Sequence, residues 1–297
     1  MKLSITSDLI MNYSLASITG AMSWKSGWLQ FEKPSAQGDV SQLLEEAKQI
    51  VRSANTKEKV LELIDKYEKA LKLEPKNHEA LVGAADYNAL IGIGYASNKD
   101  EKKTYFSQSI KYCEQIMYLN PDFRDLVDKG QPLWEACRAL SGNELFALFC
   151  YYVVVGMCWK DCLSGFEKLI NIKWTVRIKK VLAAMMAIDP EWGCGTPYYS
   201  WANFYASAPG LAGGDMNKAS EYYEKAIELG PEQLNFRRSR ALLFHLKNKD
   251  RKSFLEDLEW VVSQDLAKET KPLSYPYKVS IQRECQEALD HINDYFH

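Results

Sequence analysis

The chain has 297 residues, and 37 Lys and Arg stand against 39 Asp and Glu, a formal net charge of −2. That balance excludes a broadly basic nucleic-acid binder. Hydrophobic residues make up 46% of the chain, which suits a packed core and excludes a disordered protein.

Leu9–Met22 reads as an amphipathic first helix. Asn12, Ser14, Ser17 and Thr19 interrupt its apolar run and make it a poor secretory segment. The first cysteine is Cys113, so no early thiol stands ready to carry a lipid. Residues 1–40 are expected to form an N-terminal segment, a helix packed on the body, and residues 41–297 a single helical-repeat domain.

Helices are expected over Leu43–Val51 and Lys59–Leu73. In the second, Val60, Leu63, Ile64, Tyr67, Ala70 and Leu71 recur three and four apart. Pro75 ends it, and Asn77 is placed to cap a following helix over His78–Ile91. The pattern recurs: Thr104–Leu119 stops at Pro121, Thr175–Ile188 at Pro190, and Met216–Leu229 at Pro231. YEKALKLEP (Tyr67–Pro75) and YEKAIELGP (Tyr223–Pro231) are the closest pair. They read as the second helix of a tetratricopeptide-like unit with its proline turn. The prolines lie 46, 69 and 41 residues apart rather than a regular 34, so the array is irregular and carries inserted helices. Leu145–Trp159 is the most apolar stretch; at about 15 residues it is short for a membrane span and is read as a buried core helix. Phe254–Val262 and a terminal helix over Lys278–Phe296 close an all-α fold.

The chemistry-bearing residues are sparse. Gly213 and Gly214 lack the spacing and lysine of a P-loop and read as a tight turn, with Asp215 capping the next helix. Four histidines lie far apart, with no HExxH. Seven cysteines, an odd number, make no disulfide framework for a chain this long. Cys158 and Cys162 share a helix face, but a metal there would need a further ligand, so they read as small hydrophobes. Cys194, in WGCGTP, has no visible partner base. The carboxylate pairs Glu45-Glu46 and Glu256-Asp257 read as solvated helix faces. No catalytic residue, metal or cofactor is expected.

The least ordinary region is the loop expected over Asp189–Asp215, with Trp192, Tyr198, Tyr199, Trp201, Phe204 and Tyr205. Tyr198, Trp201 and Tyr205 share one face, which is either core or the wall of a ligand cavity. In the second case Asn203 would orient a ligand, and Tyr151, Tyr152 and Trp159 would supply the opposite wall.

Several blocks resemble one known family. YFSQSIKYCEQI (Tyr105–Ile116), LFALFCYYVVVGMCWKDCLS (Leu145–Ser164), Val181–Leu229 with its aspartate-proline turn and later PGLAGGD, and SIQRECQEALDHINDYF (Ser280–Phe296) look like the T component of tripartite ATP-independent periplasmic (TRAP) transporters. The resemblance covers most of the chain from about Asn55 onward, and the order of the blocks is more specific than any one of them. It implies a non-enzymatic helical-repeat protein, a homotrimer, and an internal cavity for a small apolar or carboxylated ligand. It also implies a periplasmic solute-binding protein as partner and a periplasmic or envelope-associated location. The residues show no lipid-attachment cysteine or clear signal peptide, which leaves a soluble cytoplasmic location open. The alternative is a tetratricopeptide-like scaffold that holds a protein or peptide in a concave groove, for which Asn235, Arg237, Arg238 and Arg240 offer a small basic set.

Overall fold

The computed structural model describes residues 31–268 and 272–296, so the helix expected over Leu9–Met22 lies outside the described residues. Among the described residues regular structure is helical throughout, with no strand. They fall into two units, one running to Ile50 and over Thr56–Ile188, the other made of Val51–Asn55 and the chain from Asp189 onward.

The first unit carries α1 (Val40–Val51), α2 (Lys57–Leu73), α3 (His78–Gly94), α4 (Lys99–Leu119), α5 (Pro121–Asp128), α6 (Leu133–Ala136), α7 (Leu145–Met157), α8 (Gly165–Ile170) and α9 (Lys173–Ile188). Side chains set the helix starts. The Thr56 side chain accepts from the Lys59 amide, Asn77 from Ala80, and Asn98 from Asp100 and Glu101. Asn120 ends α4 and starts α5, accepting from the amides of Asp122 and Phe123 with Pro121 at the first helical position.

Helix α3 packs against both α2 and α4, and its small residues permit this. A Cβ at Gly83 would lie 2.4 Å from the Tyr67 ring on α2, and one at Gly92 would lie 2.4 Å from the Phe106 ring on α4. Tyr67 and Phe106 are both buried there, each contributing roughly 2–3 kcal/mol by leaving water. Helix α7 packs on α3, α4 and α9 and runs into a π turn, Cys158–Cys162. The helical stretch Gly142–Cys162 spans 21 residues, longer than the apolar run alone suggested, and its length and composition would suffice to cross a membrane. More than half of its most apolar window (56%) is buried, and Leu145, Ala147 and Leu148 are fully so, which accounts for its composition as core.

The second unit carries α10 (Trp192–Ser207), α11 (Met216–Leu229), α12 (Leu234–Ser239) with a π turn over Arg240–His245, α13 (Arg251–Val262), α14 (Tyr275–Asp290) and α15 (Ile292–Tyr295). Two sequence expectations are corrected here. The terminal helix starts earlier than Lys278 and breaks at His291. The stretch expected as a loop from Asp189 to Asp215 is mostly α10. That helix tolerates Pro197 because Gly193, Cys194 and Gly195 adopt left-handed conformations (φ 56°, 59° and 89°), so the helix restarts and Pro197 falls in a first turn, where no intrahelical N–H is needed. Gly195 also permits contact with α11, since a Cβ there would lie 2.9 Å from the Leu229 Cβ. Helices α12, α13 and α14 enclose a core of Leu234, Ala241, Phe254, Leu258, Val261, Ile281 and Cys285.

Candidate functional site

The restart of α10 sets the register of its aromatic residues. Tyr199 and Phe204 turn into the second unit, at 6% and 7% exposure. Tyr199 stacks on Phe236 with ring centroids 4.7 Å apart, and its hydroxyl lies 3.0 Å from the Ser239 hydroxyl. Tyr198, Trp201 and Tyr205 lie half-buried on another face of the same helix. Trp201 stacks on Tyr205 at 5.3 Å, and Tyr222 on α11 meets the rings of Tyr205 and Tyr198 at 5.4 and 5.7 Å. The Lys218 ammonium sits 5.5 Å from the Tyr205 ring centroid. The result is a continuous, partly open aromatic surface built from two helices. Asn203 stands on α10 too, and its Oδ1 accepts a 2.6 Å hydrogen bond from the buried Tyr223 hydroxyl.

The other expected wall residues belong to the first unit. Tyr151 and Tyr152 on α7 are buried, at 2% and 8% exposure, and Trp159 is half-buried on the π turn. Burial is the main cause that pushes the Tyr151 phenol far above its ordinary range, so it stays protonated.

The expected turn residues sit where chain direction changes. Pro75, Pro190 and Pro231 lie in turns between helices, and Pro121 opens α5. Gly213 is left-handed at φ 97°, and the Asp215 side chain accepts from the amides of Asn217 and Lys218.

The pair Glu256-Asp257, expected as a solvated face, needs correction. Asp257 is only 1% exposed and forms the hub of an ion cluster. Arg240 donates through Nε and NH2 to its two oxygens at 2.7 and 2.6 Å, and Arg237 donates through NH1 at 3.1 Å. His245 Nε2 lies 3.4 Å away. Burial pushes this carboxyl up, but the Arg240 hydrogen bonds, the nearby His245 ring, the Arg240 charge and the Arg237 hydrogen bond outweigh it and bring it down to about 2. Arg238 forms a two-pronged pair with Glu284 at 2.9 and 2.7 Å. The guanidinium groups of the basic set are therefore engaged within the second unit.

The cysteines show no ligand set. Cys158 and Cys162 approach each other in the π turn; burial pushes the Cys158 thiol up, and the hydrogen bond from Cys158 brings Cys162 down. Cys194 is exposed. Among the described residues no group of three or more His, Cys, Asp and Glu is arranged to hold a metal ion.

Sequence reading missed an open groove of about 490 Å³ in the first unit, between α2 and α4 with α3 as its floor. Leu61, Ile64 and Glu68 come from α2, Asn88 from α3, and Glu101, Thr104, Tyr105 and Gln108 from α4. No sequence motif marks it, because its walls converge from three helices.

Residues 166–296 match the TRAP transporter T-component family. The resembling blocks Tyr105–Ile116 and Leu145–Ser164 lie before the matched region, whereas Val181–Leu229 and Ser280–Phe296 lie inside it. No curated protein matches the chain.

Proposed function

We propose that this chain is a non-enzymatic accessory protein of a TRAP-type solute transport system. In this reading it works with a periplasmic solute-binding protein to hold or pass a small apolar or carboxylated ligand. The single observation that carries the reading is the family match over residues 166–296, which takes in α8 and α9 of the first unit and every helix from α10 to α15. The all-helical fold of the described residues agrees with it. A homotrimer, a periplasmic or envelope-associated location and tetratricopeptide-like repeat geometry complete the proposal. The repeat geometry draws support from the twin helices α2 and α11, whose Tyr67 and Ala70, and Tyr223 and Ala226, are all buried.

The ligand-contact surface in this proposal is the half-buried face of Tyr198, Trp201 and Tyr205, with the Asn203 amide group beside it. Aromatic faces left partly open to water favour planar or apolar groups. The scaffold alternative draws less support, since Arg237, Arg238 and Arg240 are engaged with Asp257 and Glu284 instead of facing a peptide carboxylate.

The test is co-purification of the full chain with the solute-binding protein of a TRAP system from the same organism. A complex that an unrelated solute-binding protein does not form supports the proposal; equal recovery with both, or with neither, refutes it. For the ligand surface, 3-phenylpropanoate serves as a probe. Trp201→Ala should weaken its binding about tenfold, and an unchanged affinity removes Trp201 from the surface.

A further inference from the structure

The groove between α2 and α4 has a chemistry that the transport reading does not use. Its charged lining residues are two carboxylates, Glu68 and Glu101, and no lysine or arginine lines it. Glu101 is already occupied: it pairs with Lys57 and accepts from the Ser97 amide and hydroxyl, and the Lys57 hydrogen bond above all brings its carboxyl down to about 2. Glu68 differs. Its Oε1 accepts a 3.0 Å hydrogen bond from the Tyr112 hydroxyl, and no cation pairs with it among the described residues. Burial, and then the Glu68 charge, holds that phenol protonated far above its ordinary range, so it remains a donor.

The floor of the groove supplies a second, independent observation. Asn88 is only 2% exposed, yet it lines the groove. Its Nδ2 donates back to the Ala84 carbonyl at 2.8 Å, which fixes the amide's orientation. Its Oδ1 has no hydrogen-bond partner among the described residues. The free amide oxygen of an otherwise buried residue and a carboxylate without a cation thus line one groove whose apolar sides are Leu61 and Ile64 and whose aromatic side is Tyr105. A half-buried carboxylate without a cation, beside an amide oxygen without a donor, favours a ligand that brings both donors and a positive charge.

We propose that this groove binds a primary ammonium group carried on a short aliphatic chain. Glu68 and Asn88 Oδ1 take the ammonium, Tyr105 lies beside it, and Leu61 and Ile64 cover the methylenes. An anion finds no cation on the lining. A divalent metal would need more carboxylates than Glu68, with Glu101 committed to Lys57. The Lys57–Glu101 pair shows the same chemistry already at work at the groove's edge. The ammonium can come from a free aliphatic amine or from a lysine side chain of a partner protein.

Titration calorimetry on the full chain tests the idea, with 1,5-diaminopentane as the free amine and N-acetyl-lysine amide as the protein-borne lysine. Saturable one-site binding of either compound supports the proposal, and the tighter of the two identifies the source. Glu68→Gln keeps the acceptor for Tyr112 but removes the charge, and should weaken binding about tenfold. Gln108→Lys, at an exposed position on the lining, places an internal ammonium in the groove and should abolish binding while leaving the circular dichroism unchanged. Binding should also weaken as salt rises. No binding of either probe to the wild type, or equal affinity in Glu68→Gln and wild type, overturns the proposal. Trp201→Ala should leave this affinity unchanged, so the outcome is separate from that of the transport reading.

Discussion

Replacing Asp257 by Asn probes the most heavily bonded buried charge in the second unit. Asparagine keeps the shape and one acceptor oxygen but removes the charge that Arg237 and Arg240 share. Breaking a buried pair by removing one partner typically costs about 3–5 kcal/mol. Here the cost should fall below that range, because the Arg237 and Arg240 side chains are 25% and 22% exposed and can draw on water once released, whereas the Asp257 side chain is 2% exposed. We expect a loss of about 2–3 kcal/mol. The pH dependence gives a second estimate of similar size. The carboxyl stands at about 2 in the folded chain against an ordinary 3.8, a difference worth on the order of 2 kcal/mol. Because the folded value is the lower one, this stability is fully present above about pH 4 and is lost as pH falls through about 2. Urea unfolding followed by far-UV circular dichroism, at pH 7 and in steps down to pH 3, measures both effects. Wild type and Asp257→Asn should differ most at pH 7 and converge as the medium becomes acid. A difference below about 0.5 kcal/mol at pH 7, or a gap that does not narrow with acid, would refute the reading of Asp257 as a charge hub.

Other substitutions test the local devices that shape the helices. A Cβ at Gly214 would lie 1.9 Å from the Ala208 carbonyl oxygen, so Gly214→Ala must move backbone and should destabilise by more than about 2 kcal/mol in chemical denaturation; a neutral result would show that the turn has room to shift. Asn120→Ala removes the acceptor for two α5 amides and the 3.2 Å bond from Nδ2 to Glu144, and should cost about 1–2 kcal/mol, with Asn120→Ser recovering part of it in the same assay.

What the sequence disclosed follows the range of the interactions. Helix starts at Asn77 and Asp215 were legible because a cap acts over two or three residues, so the side chain and the amides it bonds stand in one short string. The break in α10 was not, because a non-glycine residue at φ 59° is set by its surroundings; Gly193 and Gly195 around Cys194 were the one local hint. The groove was illegible for the same reason, since Glu68 and Asn88 come to line one groove only after α2 and α3 pack. Asp257 could have been read better. It stands three residues after Phe254 and four before Val261, on the apolar side of α13, and a carboxylate there is buried unless the helix turns away. Charged residues on such a face call for a partner, and Arg237 and Arg240 were the available cations.

The aromatic residues of α10 separate into two populations, and their difference can be measured. Tyr199 has both a stacked partner, Phe236, and a hydroxyl partner, Ser239, and is 6% exposed. Truncating it to Ala removes a packed ring from the core and should cost about 3–4 kcal/mol. Trp201 is the larger side chain, but it is half-buried and its ring contacts are the neighbouring Phe204 and Tyr205 of its own helix. Trp201→Ala should therefore cost only about 1–2 kcal/mol, since much of the ring already meets water in the folded chain. A face that contributes less to folding than its size allows has that much more apolar surface left for another molecule. If Trp201→Ala destabilises as strongly as Tyr199→Ala in urea, the Tyr198–Trp201–Tyr205 face belongs to the packed core, and the ligand surface must be sought elsewhere.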